Sequence, residues 1–476
     1  MKTIIKSITV IVISFFLSIE SFAQSKLIGD WEGLLNIGSK KIRILIHVKS
    51  NEKGFNSIMD SPDQGAINLP LADTEIKDDS LRISDAKLMI KIVGEYFSNL
   101  ETTNKLTLSK QQSDSIRAIF LQGGREIPIN FGRSEIKEFS IKRPQTPKPP
   151  FPYKSEEVKF INEKAGGIKL AGTLTLPNNI ENPPVAILIS GSGAQNRNEK
   201  GFDHEPFLIL SDYLSRNGIA VLRYDDRGTA ESEGDFKSAT SFDFSTDAEA
   251  ALFYLQTRKD INTKKIGLIG HSEGGMIAPM IAARNPNVAF VVSMAGPAVP
   301  LDQLMLKQIE ELALSENRPE EDIKKLLNLN QEIFNAIKEN EDSVKAVSAI
   351  ESILDKENYA NGNPDARKNI TQRSMSIWFR YFIKYNPFPT LEKVNCPFLA
   401  INGEKDKQVD AKMNLEMMRS AFSKGNNSDF KLIYLPRLNH AFQEAETGNV
   451  AEYRMIEQTM SPLALNTITQ WIKERF

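Results

Sequence analysis

The chain has 476 residues, 41% of them hydrophobic and 25% charged, with a net charge of −2 and one cysteine, Cys396. That length exceeds a single hydrophobic core and calls for two domains, or one large domain with insertions. The near-neutral balance excludes the electrostatic footprint of a nucleic-acid or anionic-membrane binder, and a lone cysteine excludes an internal disulfide. The histidines (His47, His204, His271, His440) have no zinc-ligand spacing with Cys396, so the sequence calls for no metal and no other cofactor.

Residues 1–23 read as a signal peptide. Lys2 and Lys6 form a basic start, and Ile8 to Ile19 is an apolar stretch too short to span a bilayer comfortably. Ser21-Phe22-Ala23 then supplies small residues before Gln24. The expectation is an exported protein, periplasmic or extracellular, with no membrane span in the mature chain; an uncleaved anchor is the alternative.

Residues 24–140 read as a small antiparallel β domain. Lys41 to Val48, Leu81 to Ile83 and Ile116 to Leu121 form short segments between Gly, Asn, Asp and Ser clusters. Trp31 and Gln122-Gly123-Gly124 suit an up-and-down meander that closes on itself. Such a sheet either holds an apolar ligand or packs against a neighbour. It carries no constellation of reactive residues, and His47 reads as a packing or surface histidine. Repeated proline from Arg143 to Pro152 then predicts a linker over 141–153.

From 154 to 476, apolar strands alternate with helices, which predicts an α/β domain with a mostly parallel sheet covered on both faces. Glu157 to Asn162 and Leu170 to Leu176 read as an opening antiparallel pair. The strand Val185 to Ile189 runs into Ser190-Gly191-Ser192-Gly193, where the Ser192 amide is placed to donate to an oxyanion. Asn196 stands where a dinucleotide fingerprint needs its third glycine. A helix at Phe207–Leu214 and a strand at Ile219–Tyr224 follow. Asp226 and Arg227 read as ion-pairing residues that brace a loop, and His204 as a surface residue or one at a pocket mouth.

The densest signal is Gly270-His271-Ser272-Glu273-Gly274-Gly275, between the apolar strand Lys265–Ile269 and the helix Met276–Arg284. A G-x-S-x-G at a strand-to-helix turn is a nucleophile elbow. The serine takes a strained backbone, glycines two residues either side prevent clashes, and the following N–H, here of Glu273, meets the incoming carbonyl oxygen. His271 is too constrained to serve as base to its neighbour. After the strand Val288–Ser293, residues 301–385 read as a helical insertion capping the site as a lid. Its aromatic run Ile377–Phe382 is either a pocket wall or core. Phe398–Ile401 then leads to Asp406, preferred as the acid over Asp410, which begins the next helix. Phe430–Leu435 leads to His440. An imidazole takes the serine proton while a carboxylate fixes its tautomer, and the order Ser, Asp, His suits that chemistry on this fold.

With these motifs, together with Asn196-Arg197 and Arg223-Tyr224-Asp225-Asp226-Arg227-Gly228, the chain resembles the α/β-hydrolase superfamily. More narrowly it is similar to secreted bacterial carboxylesterases with an N-terminal β domain. The resemblance implies the α/β-hydrolase fold, Ser272 as nucleophile, Asp406 and His440 as its partners, and a small short-chain acyl ester as substrate. Thr229-Ala230, where relatives usually carry a further glycine, departs from the pattern in a loop. A serine peptidase or acyl thioesterase of the same fold is the near alternative, and a ligand-binding protein on a hydrolase scaffold the distant one. The sequence is compatible with a homo-oligomer.

Overall fold

The computed structural model describes residues 26–476 apart from 38–39, 53, 99–113, 123–124, 137–140, 179 and 360–363. The expected signal peptide and Gly123-Gly124 lie outside the described residues. The chain divides into two units, Met1–Ser140 and Ile141–Phe476.

In the first unit, polar and apolar residues alternate along nine strands: β1 (Gly29–Ile37), β2 (Lys40–Asn51), β3 (Gly54–Ser61), β4 (Ala66–Leu71), β5 (Asp73–Lys77), β6 (Ser80–Asp85), β7 (Ile90–Phe97), β8 (Ser115–Gln122) and β9 (Arg125–Arg133). They form one antiparallel sheet in the order β4-β3-β2-β1-β9-β8-β7-β6-β5. That order is the chain order wrapped into a ring, with its seam between β4 and β5. A Ser57–Thr74 hydroxyl contact of 2.7 Å draws β3 towards β5 across the seam. Along β7, inward Ile90, Ile92 and Tyr96 alternate with outward residues, and the interior is packed by Trp31, Ile46, Phe120 and Phe131.

His47 is not a surface residue. It is buried with Nδ1 2.7 Å from Asp30 Oδ1 and Nε2 3.0 Å from Asp60 Oδ2. Both ring nitrogens therefore face carboxylates. The hydrogen bond His47 donates to Asp60, reinforced by Asp30, raises the histidine pKa against the opposing effect of burial. This Asp-His-Asp cluster is invisible in the sequence, because its members lie on three different strands.

The second unit opens with the antiparallel pair β10 (Tyr153–Asn162) and β11 (Ile168–Pro177). Then come β12 (Val185–Ile189), β13 (Ala220–Tyr224), β14 (Ile266–His271), β15 (Phe290–Met294), β16 (Phe398–Gly403) and β17 (Phe430–Leu435), all parallel to one another. The sheet order is β10-β11-β13-β12-β14-β15-β16-β17. From β12 to β16 almost every residue is buried, as expected for strands covered on both faces. The helices are α1 (Pro206–Arg216), α2 (Ser241–Gln256) and α3 (Glu273–Ala282). Six more, α4 (Leu301–Ser315), α5 (Glu320–Glu339), α6 (Ser343–Lys356), α7 (Pro364–Ser374), α8 (Ile377–Lys384) and α9 (Phe388–Leu391), lie between β15 and β16. The last are α10 (Ala411–Gly425), α11 (Val450–Tyr453) and α12 (Pro462–Lys473). One face of the sheet packs Ile187, Leu222 and Leu268 against Leu252 of α2 and Ile281 of α3. The other packs Leu188, Val221 and Ile269 against Leu214 of α1 and Ile468 of α12. The chain turns outward from β12 to β13 and then crosses back to β14, which opens a crevice at the carboxyl ends of the strands.

The proline-rich segment is held to this second unit. Arg143 donates to the carbonyl oxygens of Asp203, Arg454 and Ile456, at 3.1, 2.6 and 2.8 Å. Gln145 donates to Met460 O at 2.7 Å and accepts from Thr459 N at 2.6 Å. It forms an ordered strap across one unit. Among the described residues, no helix is long and apolar enough to cross a membrane.

Trp31 is fully buried, donates to Leu27 O at 2.9 Å and stacks under the Arg133 guanidinium, 3.9 Å from the ring centroid. Trp31→Ala is expected to destabilise the first unit by about 3–5 kcal/mol. Urea unfolding followed by circular dichroism reads this as an earlier transition for that unit; an unchanged midpoint would contradict the packing described.

Candidate active site

Ser272 takes φ 53° and ψ −118°, a conformation a non-glycine residue holds at a cost of about 1–3 kcal/mol. Two main-chain bonds fix it: Ser272 N donates to Met294 O at 2.8 Å, and Ser272 O accepts from Gly275 N at 2.9 Å. The flanking glycines are required by contact. A Cβ on Gly270 would lie 1.9 Å from Gly274 O, and one on Gly274 would lie 2.1 Å from Ile189 O. The turn therefore presses α3 against β12 and leaves the serine side chain at the crevice.

The two other expected members come from the loops after β16 and β17. His440 Nδ1 lies 2.8 Å from Asp406 Oδ2, while Asp406 Oδ1 accepts from the amides of Gln408 and Val409, both at 2.8 Å. The carboxylate is thus fixed by its own loop, and the ring nitrogen facing it is the donor, which leaves Nε2 to accept a proton. Asp410 caps α10 instead, accepting from Met413 N at 2.7 Å. Ser272 and His440 line one cavity of about 320 Å³. Among the described residues, no hydrogen bond joins the Ser272 hydroxyl to the His440 ring, a bond that unliganded sites often form only with substrate. The two are linked through His271, whose Nε2 is 3.0 Å from His440 O and whose ring centroid is 4.9 Å from that of His440.

Ser192 and Glu273 line the same cavity. The neighbouring amide of Gly191 is occupied by Glu199 Oε1 at 2.7 Å. Glu273 N opens α3, where a helix has no internal acceptor for it. The Glu273 carboxyl is enclosed and accepts from Ser241 Oγ at 2.6 Å and Trp378 Nε1 at 2.8 Å. Burial raises its pKa against those donors and the Ser192 hydroxyl. Asp226 behaves alike. Its carboxyl is enclosed and accepts from Ser190 Oγ at 2.8 Å and Gln195 N at 2.9 Å, yet burial pushes it up to about 8. Asp226 thus braces the 190–195 loop without an ion pair among the described residues, and only Arg227 pairs, with Nε 2.6 Å from Asp247 Oδ2.

His204 is buried in the cavity wall, not at the surface. Nδ1 is 2.9 Å from Thr459 Oγ1 and Nε2 is 2.9 Å from Tyr453 O. Sequence reasoning missed Glu199 and left Trp378 open between pocket wall and core. Glu199 sits in Asn196-Arg197-Asn198-Glu199-Lys200, a polar run that looks like solvated loop. Trp378 lay within the aromatic run and is a pocket wall, together with Phe382, Leu304 and Met305.

This strand order, with a serine elbow after β14 and an acid and a histidine after β16 and β17, defines an α/β hydrolase. The family model described as serine aminopeptidase, S33, matches residues 207–446, half of the chain, and the protein belongs to that family. The chain is 25% identical over 306 residues to the esterase EstD of Thermotoga maritima. That match covers 64% of this chain and 65% of the relative, just under two thirds of its length. Among solved structures, the Pyrococcus furiosus esterase Pf2001 is similar at 14% identity and a TM-score of 0.43, covering 70% of this chain and 97% of that one. Est1E from Butyrivibrio proteoclasticus is similar at 16% identity and a TM-score of 0.38, covering 67% and 98%.

Burial lowers the His204 pKa to about 4. The unfolded chain therefore binds a proton at this residue from the ordinary histidine range down to that value, where the folded chain does not. Stability is expected to fall as pH drops through this window. Urea midpoints at pH 7 and pH 5 should differ less in His204→Gln than in the parent; an equal difference would contradict the assignment.

Proposed function

We propose that this is an exported serine carboxylesterase that hydrolyses short-chain acyl esters through an acyl-serine. The observation that carries the proposal is the 2.8 Å bond between His440 and Asp406, formed on the wall of the cavity that holds the strained Ser272. Ser272 Oγ attacks the ester carbonyl carbon while His440 Nε2 takes the hydroxyl proton. The tetrahedral oxyanion receives the N–H groups of Ser192 and Glu273. As the C–O bond to the alcohol breaks, His440 returns the proton to the leaving oxygen. Water then adds to the acyl-serine by the same route, releasing the acid and restoring Ser272. Asp406 accepts from His440 Nδ1 and stabilises the imidazolium. The raised pKa of Glu273 favours a neutral acid beside the developing negative charge, where a carboxylate would oppose it.

Helices α4 to α8 serve as the lid, with Trp378 and Phe382 facing the acyl or alcohol group. The similarity to EstD supports the ester reading, and the basic start and small residues before Gln24 support export. A peptidase reading is favoured by one observation, the aminopeptidase description of the matched family.

A panel of p-nitrophenyl acyl esters and aminoacyl amides separates the two. Ester cleavage is expected to be the faster, Ser272→Ala to abolish it, and Asp406→Asn to lower kcat by about 10³–10⁴-fold. Faster amide cleavage would select the peptidase. Full activity in Ser272→Ala would refute both.

A further inference from the structure

The residue before the nucleophile is caught between two acceptors. His271 Nδ1 lies 2.9 Å from Glu199 Oε1, and Nε2 lies 3.0 Å from the main-chain oxygen of His440. A carbonyl oxygen can only accept, so Nε2 carries a hydrogen. Glu199 Oε1 already accepts from Gly191 N at 2.7 Å, so Nδ1 is best served by carrying one as well. The three loops so joined are the ones whose register the chemistry needs. Gly191 adjoins Ser192 on the oxyanion loop, His271 adjoins Ser272 on the elbow, and His440 is the base. They meet tightly: a Cβ on Gly191 would lie 3.2 Å from both Glu199 Oε1 and Ser272 Cβ.

We propose that Glu199 and His271 are positioning residues, an enclosed ion pair in which a doubly protonated His271 holds the oxyanion loop, the elbow and the base loop in one working register. This rests on the serine-hydrolase reading of Ser272. The groups facing the His271 ring are Glu199 from the loop after β12 and His440 from the loop after β17, with Asp406 behind His440. Burial opposes the charge, but the attraction and hydrogen bond of Glu199 outweigh it, so the His271 pKa is raised. The clasp is complete below that raised pKa and loosens as pH climbs through it, whereas the base His440 must be neutral to work. Activity should therefore fall on the alkaline side as His271 loses its proton.

Two measurements test this. In protein labelled with ¹⁵N-histidine, the His271 ring is expected to show both nitrogens protonated at pH 7, in the parent and in Ser272→Ala alike. A ring with one protonated nitrogen would overturn the proposal. In kcat–pH profiles on p-nitrophenyl acetate, Glu199→Gln keeps an accepting oxygen and the side-chain volume but removes the charge. It is expected to move the alkaline limb towards acid by about one pH unit and to lower kcat about tenfold or more, with KM little changed. A loss of kcat with the alkaline limb unmoved, in a variant whose near-ultraviolet circular dichroism matches the parent, would mean a structural role only and overturn the proposal. Failure of a fluorophosphonate to label Ser272 in the parent would instead strike the hydrolase reading, and the nitrogen spectra would then decide the clasp by themselves.

Discussion

The molecule's chemistry depends on a close approach of main chain to main chain. Ser272 keeps a positive φ because β14, the turn and α3 are driven against β12 and β15 with no side chains between them. Gly274 lies against Ile189 O, Gly275 against Gly296, and Ser293 Oγ donates to Gly275 O at 2.9 Å. The strain is small beside the burial that enforces it, since β12, β14 and β15 are packed from both faces by separate cores. A serine held this way cannot relax into a helix or a strand, so its hydroxyl stays at the carboxyl edge of the sheet. Only there can loops from β16 and β17 bring a second and a third group to it.

Removing water from that edge leaves several carboxyl groups to be accommodated, and each is accommodated differently. Asp406 has two amides and an imidazole, enough to hold a charge. Glu199 has an imidazole and one amide. Asp226 and Glu273 have hydroxyl, amide or indole donors but no cation among the described residues, and burial raises the pKa of both. The result is selective. The carboxylate that faces the base is fully supported, while the acid nearest the proposed oxyanion position is biased towards neutrality. A raised pKa beside the proposed oxyanion position favours less negative charge there, which suits acyl transfer.

Legibility in the sequence followed the same division. Backbone requirements were readable, because a tight strand-to-helix turn admits so few residue types that Gly270, Ser272 and Gly274 together identify it. Asp406 and His440 stood out because each lies in the loop after an apolar strand, and they meet in the folded chain, while Asp410 caps α10. Buried polar partners were not readable. His204 meets Thr459 across 255 positions of sequence, and Glu199 meets His271 across 72. In the sequence such residues look solvated, and only the folded chain shows that they have lost their water. Asp226 illustrates the limit: its charge suggested an ion pair, yet the guanidinium beside it in sequence turns to Asp247. His47 is the same lesson in the first unit, where period-2 alternation revealed the strands but not the carboxylates on either side of its ring.

The helical insertion has a core of its own, built from Ile333, Phe334 and Ile337 of α5, Ile350 and Leu354 of α6 and Phe379 of α8. It reaches the cavity through few side chains, chiefly Leu304, Met305, Trp378 and Phe382. That wall is not independent of the elbow, because Leu304 and Phe382 pack with Met276 of α3 in one apolar cluster. Trp378 adds a polar link. Its indole N–H is spent on the carboxyl of Glu273, the residue whose own amide opens α3 beside the nucleophile. Rearrangement of α8 would strip a donor from an enclosed acid and favour its neutral form further. The wall and the helix that opens at the nucleophile are therefore coupled twice, through Met276 and through this indole.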